Sequence, residues 1–152
     1  MHIYSVTFTA AATTTTQDFV ELTTGSTRKL KILGWEIGQS TEFGDAQDEA
    51  VRLELITGYT VSGSGGSSFT PLPVDPAHPA AIATCEISNT TLANTGTAKV
   101  LHATAFNVRA GHIWLPPPQL QVQVAVSDRV VLRMNSTPAD SISFSGTLYF
   151  EE

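Results

Sequence analysis

Charged residues are scarce in this sequence. Only 14% of the 152 residues are Asp, Glu, Lys or Arg, against roughly 25% in typical soluble domains. The 8 basic residues are outnumbered by 14 acidic ones, which gives a formal net charge of −6. A nucleic-acid-binding face needs clustered cations that displace counterions from phosphates. The composition therefore argues against binding of DNA or RNA.

Cysteine and long apolar runs are equally scarce. Cys85 is the only cysteine, so an intrachain disulfide is excluded, and its strand-like surroundings predict a buried, inert thiol. No apolar run approaches the roughly 20 residues that a membrane-spanning helix needs. The N-terminal residues also lack the basic and apolar regions of a signal peptide. We therefore expect a chain that is made in a cytoplasm and is not secreted by itself.

Signatures of catalysis and of metal binding are missing as well. The histidines, His2, His78, His102 and His112, show neither the i, i+4 spacing nor the H-x-H spacing common in zinc and cupin-type sites. No G-x-S-x-G nucleophile motif occurs. The sequence thus predicts no catalytic, cofactor-binding or metal-ligating residue, and a protein that is not an enzyme. A metal site built from distant histidines that converge in the fold stays open.

One acidic loop permits two interpretations. Residues 39–49 include the carboxylates of Glu42, Asp45, Asp48 and Glu49. Calcium takes 6–8 oxygen ligands, but the loop lacks the alternating D-x-D-x-D-G spacing of a calcium-binding hand. The favoured interpretation is a solvated loop, with calcium as the alternative.

What the sequence does contain is strand periodicity. Residues 50–57 alternate, with Val51, Leu53 and Leu55 on one face, because successive side chains of a strand point to opposite faces. Residues 28–38 alternate too, but the apolar phase changes by one residue near Gly34, which predicts a β-bulge there. These two strands supply large apolar residues, including Trp35, for a core between two sheets.

The same alternation recurs along the rest of the chain. Residues 2–10 and 140–150 are the clearest further strands, and others are predicted at 17–23, 80–88, 98–108, 121–126 and 129–134. No apolar pattern of helical period persists beyond two turns. Eight to ten strands with little helix predict one all-β domain over residues 1–152, an antiparallel β-sandwich of jelly-roll type with long loops.

Residues 62–79 differ in composition from the strands. A Gly/Ser-rich run is followed by four prolines, which predicts a flexible segment and then an extended arm outside the central sheets. Long loops of this kind are often functional. We expect the arm to contact a neighbouring chain through Phe69, Leu72 and Val74.

Several segments together resemble small β-rich proteins encoded among the structural genes of tailed bacteriophages and prophages. They are residues 34–40, the Gly-Asp-Ala loop at Gly44, the excursion 62–79, residues 106–111 and residues 139–152. Similar proteins in phage heads are cement or decoration proteins, jelly-roll trimers that sit on the capsid lattice and reinforce it. The resemblance implies a non-enzymatic virion protein without a cofactor. Its expected partners are two further copies of itself, in a homotrimer, and the major capsid protein.

Other functions stay open at this point. Some phage jelly rolls belong to tails or fibres. A carbohydrate-binding or receptor-binding module would need an exposed aromatic side chain such as Trp114 or Tyr59, although aromatic residues in sheet proteins more often lie in the core. A cupin-like metalloenzyme is a third alternative and lacks the ligand spacing.

Overall fold

The computed structural model describes residues 1–9, 13–41 and 48–152. Strands make up 59% of the chain and helix 2%, which confirms the all-β prediction. The strands are β1 (Ile3–Thr9), β2 (Gln17–Thr23), β3 (Leu30–Gln39), β4 (Ala50–Val61), β5 (Ser67–Phe69), β6 (Leu72–Pro73), β7 (Thr84–Asn89), β8 (Asn94–Asn107), β9 (His112–Trp114), β10 (Val122–Val124), β11 (Arg129–Met134) and β12 (Phe144–Glu151). A 3₁₀ turn covers Pro118–Leu120. No helix within the described ranges is long and apolar enough to cross a membrane.

The strands form two antiparallel sheets that pack face to face. The first sheet has the order β10-β3-β12-β1-β6, with β9 also paired to β3, and the second has the order β5-β7-β2-β11-β4-β8. Eight positions have the strand order of a jelly roll, with β1, β12, β3 and β9/β10 adjacent in one sheet and β2, β11, β4 and β8 adjacent in the other. Along the chain these strands alternate between the sheets, except that β4 and β8 both lie in the second. Each sheet therefore buries one face against the other, as the period-two pattern requires.

The core contains the side chains that the alternation predicts. Tyr4, Val6 and Phe8 of β1 are buried, as are Val51, Leu53 and Leu55 of β4 and the inward residues of β12. Trp35 and Phe144 have no exposed surface. The structure thus confirms the core position predicted for Trp35 and places Phe144 in the same core.

The β-bulge near Gly34 is confirmed. Tyr149 of β12 pairs with Gly34, but the next residue, Phe150, pairs with Ile32, so Leu33 is the extra residue. The phase change lets both Ile32 and Trp35 point into the core. Glycine is required at position 34 because a Cβ there would overlap the backbone oxygen of Trp114.

Three strand boundaries differ from the predicted ones. β7 begins at Thr84 rather than at residue 80. β8 begins at Asn94, within the predicted connection, because β4 continues to Val61 and supplies backbone partners. Val126 was expected to point inward, but β10 ends at Val124 and Val126 is 40% exposed. In each case the strand extends as far as a neighbouring strand supplies backbone partners, whatever the local composition predicts.

Residues 62–93 form an insertion between β4 and β8. Its strands β5 and β7 extend the second sheet beyond β2, and its strand β6 extends the first sheet beyond β1. The insertion therefore covers the edge of the sandwich at which β1 and β2 lie. Pro73 in β6 occupies an edge strand, where the missing N–H breaks no ladder.

Candidate functional site

The outer face of the first sheet is an open surface of polar side chains, whose outward positions follow from the alternation along its strands. Thr7 of β1 pairs with Thr147 of β12, which pairs with Glu36 of β3. Because facing residues of an antiparallel pair point to the same side, these three side chains form one outward row. Thr7 and Glu36 are exposed and Thr147 is half-buried. Ser5 and Tyr149 form the next row in the same way.

Apolar side chains lie at both margins of this outer face. At the β6 margin Leu72 pairs with Ser5, and the Val74 amide donates to the Ile3 carbonyl at 2.9 Å. Leu72 and Val74 are 56% and 57% exposed, and Ile3 is 42% exposed. At the β9 margin Ile113 and Leu115 are 68% and 69% exposed. Exposed apolar residues that gather along one face indicate a contact surface more strongly than scattered ones.

An open groove of about 680 Å³ runs across the polar rows of the outer face. Hydroxyl groups of Thr7, Ser145 and Thr147 line it, together with the carboxylate of Glu36. Arg109, from the turn between β8 and β9, closes one side, and its guanidinium lies 3.3 Å from the Asp48 carboxylate. The groove offers hydrogen-bonding groups beside apolar ones, the latter from residues such as Ile37, Val108 and Ile113.

The outer face of the second sheet is covered by the chain itself over β2 and β11, while most of β8 is exposed. The Asp18 carboxylate of β2, with no exposed surface, accepts hydrogen bonds from Arg133 of β11 at 2.5 and 3.0 Å and from the Ala93 amide at 2.8 Å. Arg133 also donates to the Ala93 carbonyl and to Tyr59. Burial raises the pKa of Asp18, and the hydrogen bonds from Arg133 and Ala93 oppose that rise. This ion pair holds the end of the insertion against the second sheet.

A second buried carboxylate holds the beginning of the insertion. Glu21 of β2, 2% exposed, accepts from the Gly63 amide at 2.9 Å and from the Ser62 hydroxyl at 2.5 Å. Its other neighbour is Arg129, whose Nε lies 2.6 Å from Glu21 Oε1. That N–H does not point at the carboxylate, so the contact is a charge pair rather than a hydrogen bond. The insertion is thus anchored at both ends by buried ions.

The arm predicted at residues 62–79 lies on its own chain. Ser64 bridges to Thr91, β5 pairs with β7, and β6 pairs with β1. Of the three expected contact residues, Phe69 packs partly buried against the core of the same chain. Leu72 and Val74 point to solvent at the margin of the first sheet. Contact between these residues and a neighbouring molecule stays a prediction.

Two histidines and two tryptophans meet where β8 and β9 close the other end of the sandwich. Trp35 and Trp114 stack with ring centroids 4.3 Å apart, and His102 contacts Trp114 at 4.7 Å. The Trp35 Nε1–H donates to His112 Nδ1 at 3.3 Å, which requires a neutral His112 with its proton on Nε2. Trp114 is therefore engaged in packing, and Tyr59 is engaged with Arg133, so neither aromatic side chain is a free platform for a sugar.

Burial lowers the pKa of both His102 and His112, and the positive charge of His102 lowers the pKa of His112 further. The unfolded chain then takes up protons at a higher pH than the folded chain does. Stability is therefore fully present above the ordinary value of about 6.5 and is lost as pH falls from there towards the lowered folded pKa values.

We expect the melting temperature to fall as the pH is lowered from 7.5 to 5. The variant His102→Gln/His112→Gln removes both titrating groups and keeps an acceptor for Trp35, so its melting temperature should vary less with pH. Differential scanning calorimetry over this pH range is the measurement, with His78→Gln as the matched control. Equal pH dependence in the wild type and the His102/His112 variant would contradict the assignment.

The described residues assemble no recognisable catalytic centre. Within the described part of the chain, no group of three or more His, Cys, Asp or Glu side chains is arranged to hold a metal. Cys85 is buried and free, as expected, and burial raises its pKa well above the ordinary thiol value. Residues 42–47 of the acidic loop lie outside the described residues, so its two interpretations stand as before. Of its described carboxylates, Asp48 pairs with Arg109 and Glu49 accepts from the Ala139 amide.

Sequence periodicity missed two features of these surfaces. Ile3 alternates correctly as an outward residue, but only its pairing with the insertion places it beside Leu72 and Val74. Asp18 and Glu21 fall within a predicted strand, and a charged residue between apolar ones would ordinarily face solvent. The one signal in the sequence for these buried ion pairs is that β2 carries two acidic residues and another short predicted strand carries two arginines, Arg129 and Arg133.

The fold and these surfaces define a β-sandwich of jelly-roll order with one bare outer face. Comparison of the chain with protein-family models, with curated proteins and with solved structures finds no match.

Proposed function

We propose that this chain is a non-enzymatic structural protein of a tailed-phage virion, of the cement or decoration type. In this proposal it docks on the major capsid protein through the outer face of its first sheet. The observation that carries the proposal is the asymmetry of the two outer faces. The insertion covers one of them over β2 and β11, whereas the other is open, lined with hydroxyl groups and apolar at both margins.

The β6 margin is the part of that face best suited to docking. Ile3, Leu72 and Val74 come from two elements and form one apolar patch, and Pro73 between them restricts the backbone. A backbone that is already ordered loses little entropy when it docks. A low surface charge also suits a protein that must lie close to many neighbours, because it limits repulsion between copies.

We expect the double variant Leu72→Ser/Val74→Ser to bind undecorated capsids about 10- to 100-fold more weakly than the wild type. Each side chain would bury roughly half of an apolar surface whose full burial is worth about 1.5–3 kcal/mol, and each 1.4 kcal/mol is tenfold in affinity. Cosedimentation with purified heads is the measurement. Val61→Ser is the control, since Val61 is 46% exposed away from this face.

Folding does not confound this comparison, because the replaced side chains are exposed and the melting temperatures should agree. Wild-type protein that fails to cosediment with capsids, or is absent from purified virions by mass spectrometry, would refute the decoration role. Equal binding by the double variant would move the contact away from the β6 margin.

A homotrimer is the favoured assembly, since identical chains usually form closed cyclic oligomers and the resemblance implies three copies. Multi-angle light scattering should then give three times the 16.2 kDa chain mass. Point variants are preferable to deletion of residues 62–79, because the deletion would remove the Ser62 and Gly63 donors of buried Glu21. A protein that stays monomeric at high concentration would rule the trimer out.

The groove on the same face supports a second candidate, a carbohydrate-binding or receptor-binding module of a tail or fibre. Its hydroxyl groups, with Glu36 and Arg109, could satisfy the hydrogen bonds of a sugar. A glycan array distinguishes the two candidates. Specific binding that Glu36→Gln abolishes would favour the carbohydrate-binding module, and absence of binding to every glycan would rule it out.

A further inference from the structure

Two histidines that are distant in the sequence touch at the edge covered by the insertion. His2 directly precedes β1, and His78 lies in the insertion shortly after β6. Their imidazole rings have centroids 4.1 Å apart and planes inclined by 47°. Backbone hydrogen bonds on both sides hold them there, from the His2 amide to the Glu152 carbonyl and from the His78 amide to the Asp75 carbonyl.

The nitrogens of this pair are unusual in their environment. Nδ1 of His2 and Nδ1 of His78 are both inaccessible to solvent and have no hydrogen-bond partner in the described chain. Buried polar atoms are normally satisfied, so two adjacent exceptions need a physical explanation. Neither residue is accounted for by the virion role proposed above.

The carboxylate of Asp75 determines which nitrogen of His78 is free. Asp75 Oδ2 lies 3.6 Å from His78 Nε2, which favours the proton on Nε2 and leaves a lone pair on Nδ1. Metal-binding histidines typically face a carboxylate with their other nitrogen in this way, and that contact sets the ring orientation.

We propose that His2 and His78 bind one divalent transition-metal ion, such as Zn²⁺, Ni²⁺ or Cu²⁺, through their Nδ1 atoms. Imidazole nitrogens bind these ions at about 2.0–2.1 Å, so two nitrogens on one ion lie no more than roughly 4.2 Å apart, and the centroids of the two rings are 4.1 Å apart. Imidazole suits these ions, whereas Mg²⁺ and Ca²⁺ prefer oxygen ligands. With only two protein ligands, water or another molecule completes the coordination.

Such an ion would join the first strand to the insertion. The links already present here include the pairing of β6 with β1, the bond from the Val74 amide to the Ile3 carbonyl and the bond from the Tyr4 hydroxyl to the Pro79 carbonyl. The metal would add a crosslink beside Leu72 and Val74. The inference is independent of the virion role, because it concerns the isolated protein.

The test is titration of tag-free protein with Ni²⁺ and with Zn²⁺ in separate calorimetric experiments. We expect one ion per chain and a rise in melting temperature of roughly 5–10 °C at a hundredfold excess over the dissociation constant. The variant His2→Gln/His78→Gln should lose both effects, while His102→Gln, which changes another half-buried histidine, should keep them. Mg²⁺ should have no effect on the wild type.

Absence of saturable binding to the wild type up to about 1 mM, near −4 kcal/mol, would overturn the proposal. Equal binding by the double variant would overturn it too. A second measurement covers a variant that fails to fold: substoichiometric Cu²⁺ should broaden the imidazole NMR signals of His2 and His78 in the wild type first. Broadening that begins at His102 or His112 would overturn the site.

Discussion

Trp35→Ala is expected to lower the free energy of unfolding by about 3–5 kcal/mol. Trp35 has no exposed surface, stacks on Trp114 and donates its indole N–H to His112. Its removal leaves a large cavity where the first sheet meets β8 and β9, and it also leaves His112 without its donor. The total stability of a domain is only about 5–15 kcal/mol, so this single change threatens the fold. Urea unfolding followed by circular dichroism measures it.

Phe144→Ala should lower the free energy of unfolding by a similar amount, because it too removes a buried aromatic ring. Its ring lies 5.5 Å from that of Phe19 and 6.2 Å from that of Phe106, and it is fully buried between the sheets. Phe144→Leu keeps most of the volume and should lose much less. If both alanine variants lost under about 1 kcal/mol, the inward and outward faces of β3 and β12 would be assigned the wrong way round.

Arg133→Ala is the second large effect, with an expected loss of about 3–5 kcal/mol. The substitution leaves the Asp18 carboxylate buried without its charge partner, and it removes the donors to the Ala93 carbonyl and to Tyr59. The net effect of the surroundings is to raise the pKa of Arg133. Burial by itself would lower it, but the hydrogen bonds to Asp18 and the negative charge of Asp18 outweigh burial. The guanidinium therefore remains charged throughout the measurable range.

A double-mutant cycle separates the interaction energy of Asp18 and Arg133 from the effect of replacing each residue alone. The neutral combination Asp18→Asn/Arg133→Met should be more stable than Arg133→Met alone, because it leaves no unpaired buried charge. Arg109→Met is the matched control. Arg109 pairs with Asp48, which is 78% exposed, and exposed pairs typically contribute about 0–1 kcal/mol. A loss for Arg133→Ala no larger than that of the control would show that the buried pair does not hold the insertion.

Local alternation was enough to predict the sandwich and most of its core. In β1, β4 and β12 the inward residues could be named from parity alone, since a strand side chain has only two directions. Even the bulge at Gly34 was visible, because a one-residue insertion reverses parity. These features depend on neighbours within a few residues, which the sequence displays directly.

Pairing between distant segments was not visible in the same way. Asp18 and Arg133, Ile3 and Val74, and His2 and His78 are each brought together by strand order. The insertion illustrates the limit: its glycines and prolines predicted an excursion away from the sheets. The structure instead lays it along the β1 and β2 edge, where the buried Glu21 and Asp18 accept its backbone amides.

The sequence by itself thus determined the fold class, the inward faces of the main strands and the absence of an intrachain disulfide. It also determined that the segment carrying Leu72 and Val74 is exposed. Only the tertiary structure decided which outer face is bare, that Phe69 belongs to the chain's own core, and which charges and histidines meet. The physical reason is that burial of an apolar face follows from periodicity within one strand. The neighbour of an outward-facing residue depends instead on strand order and register, which pairing across the whole chain sets.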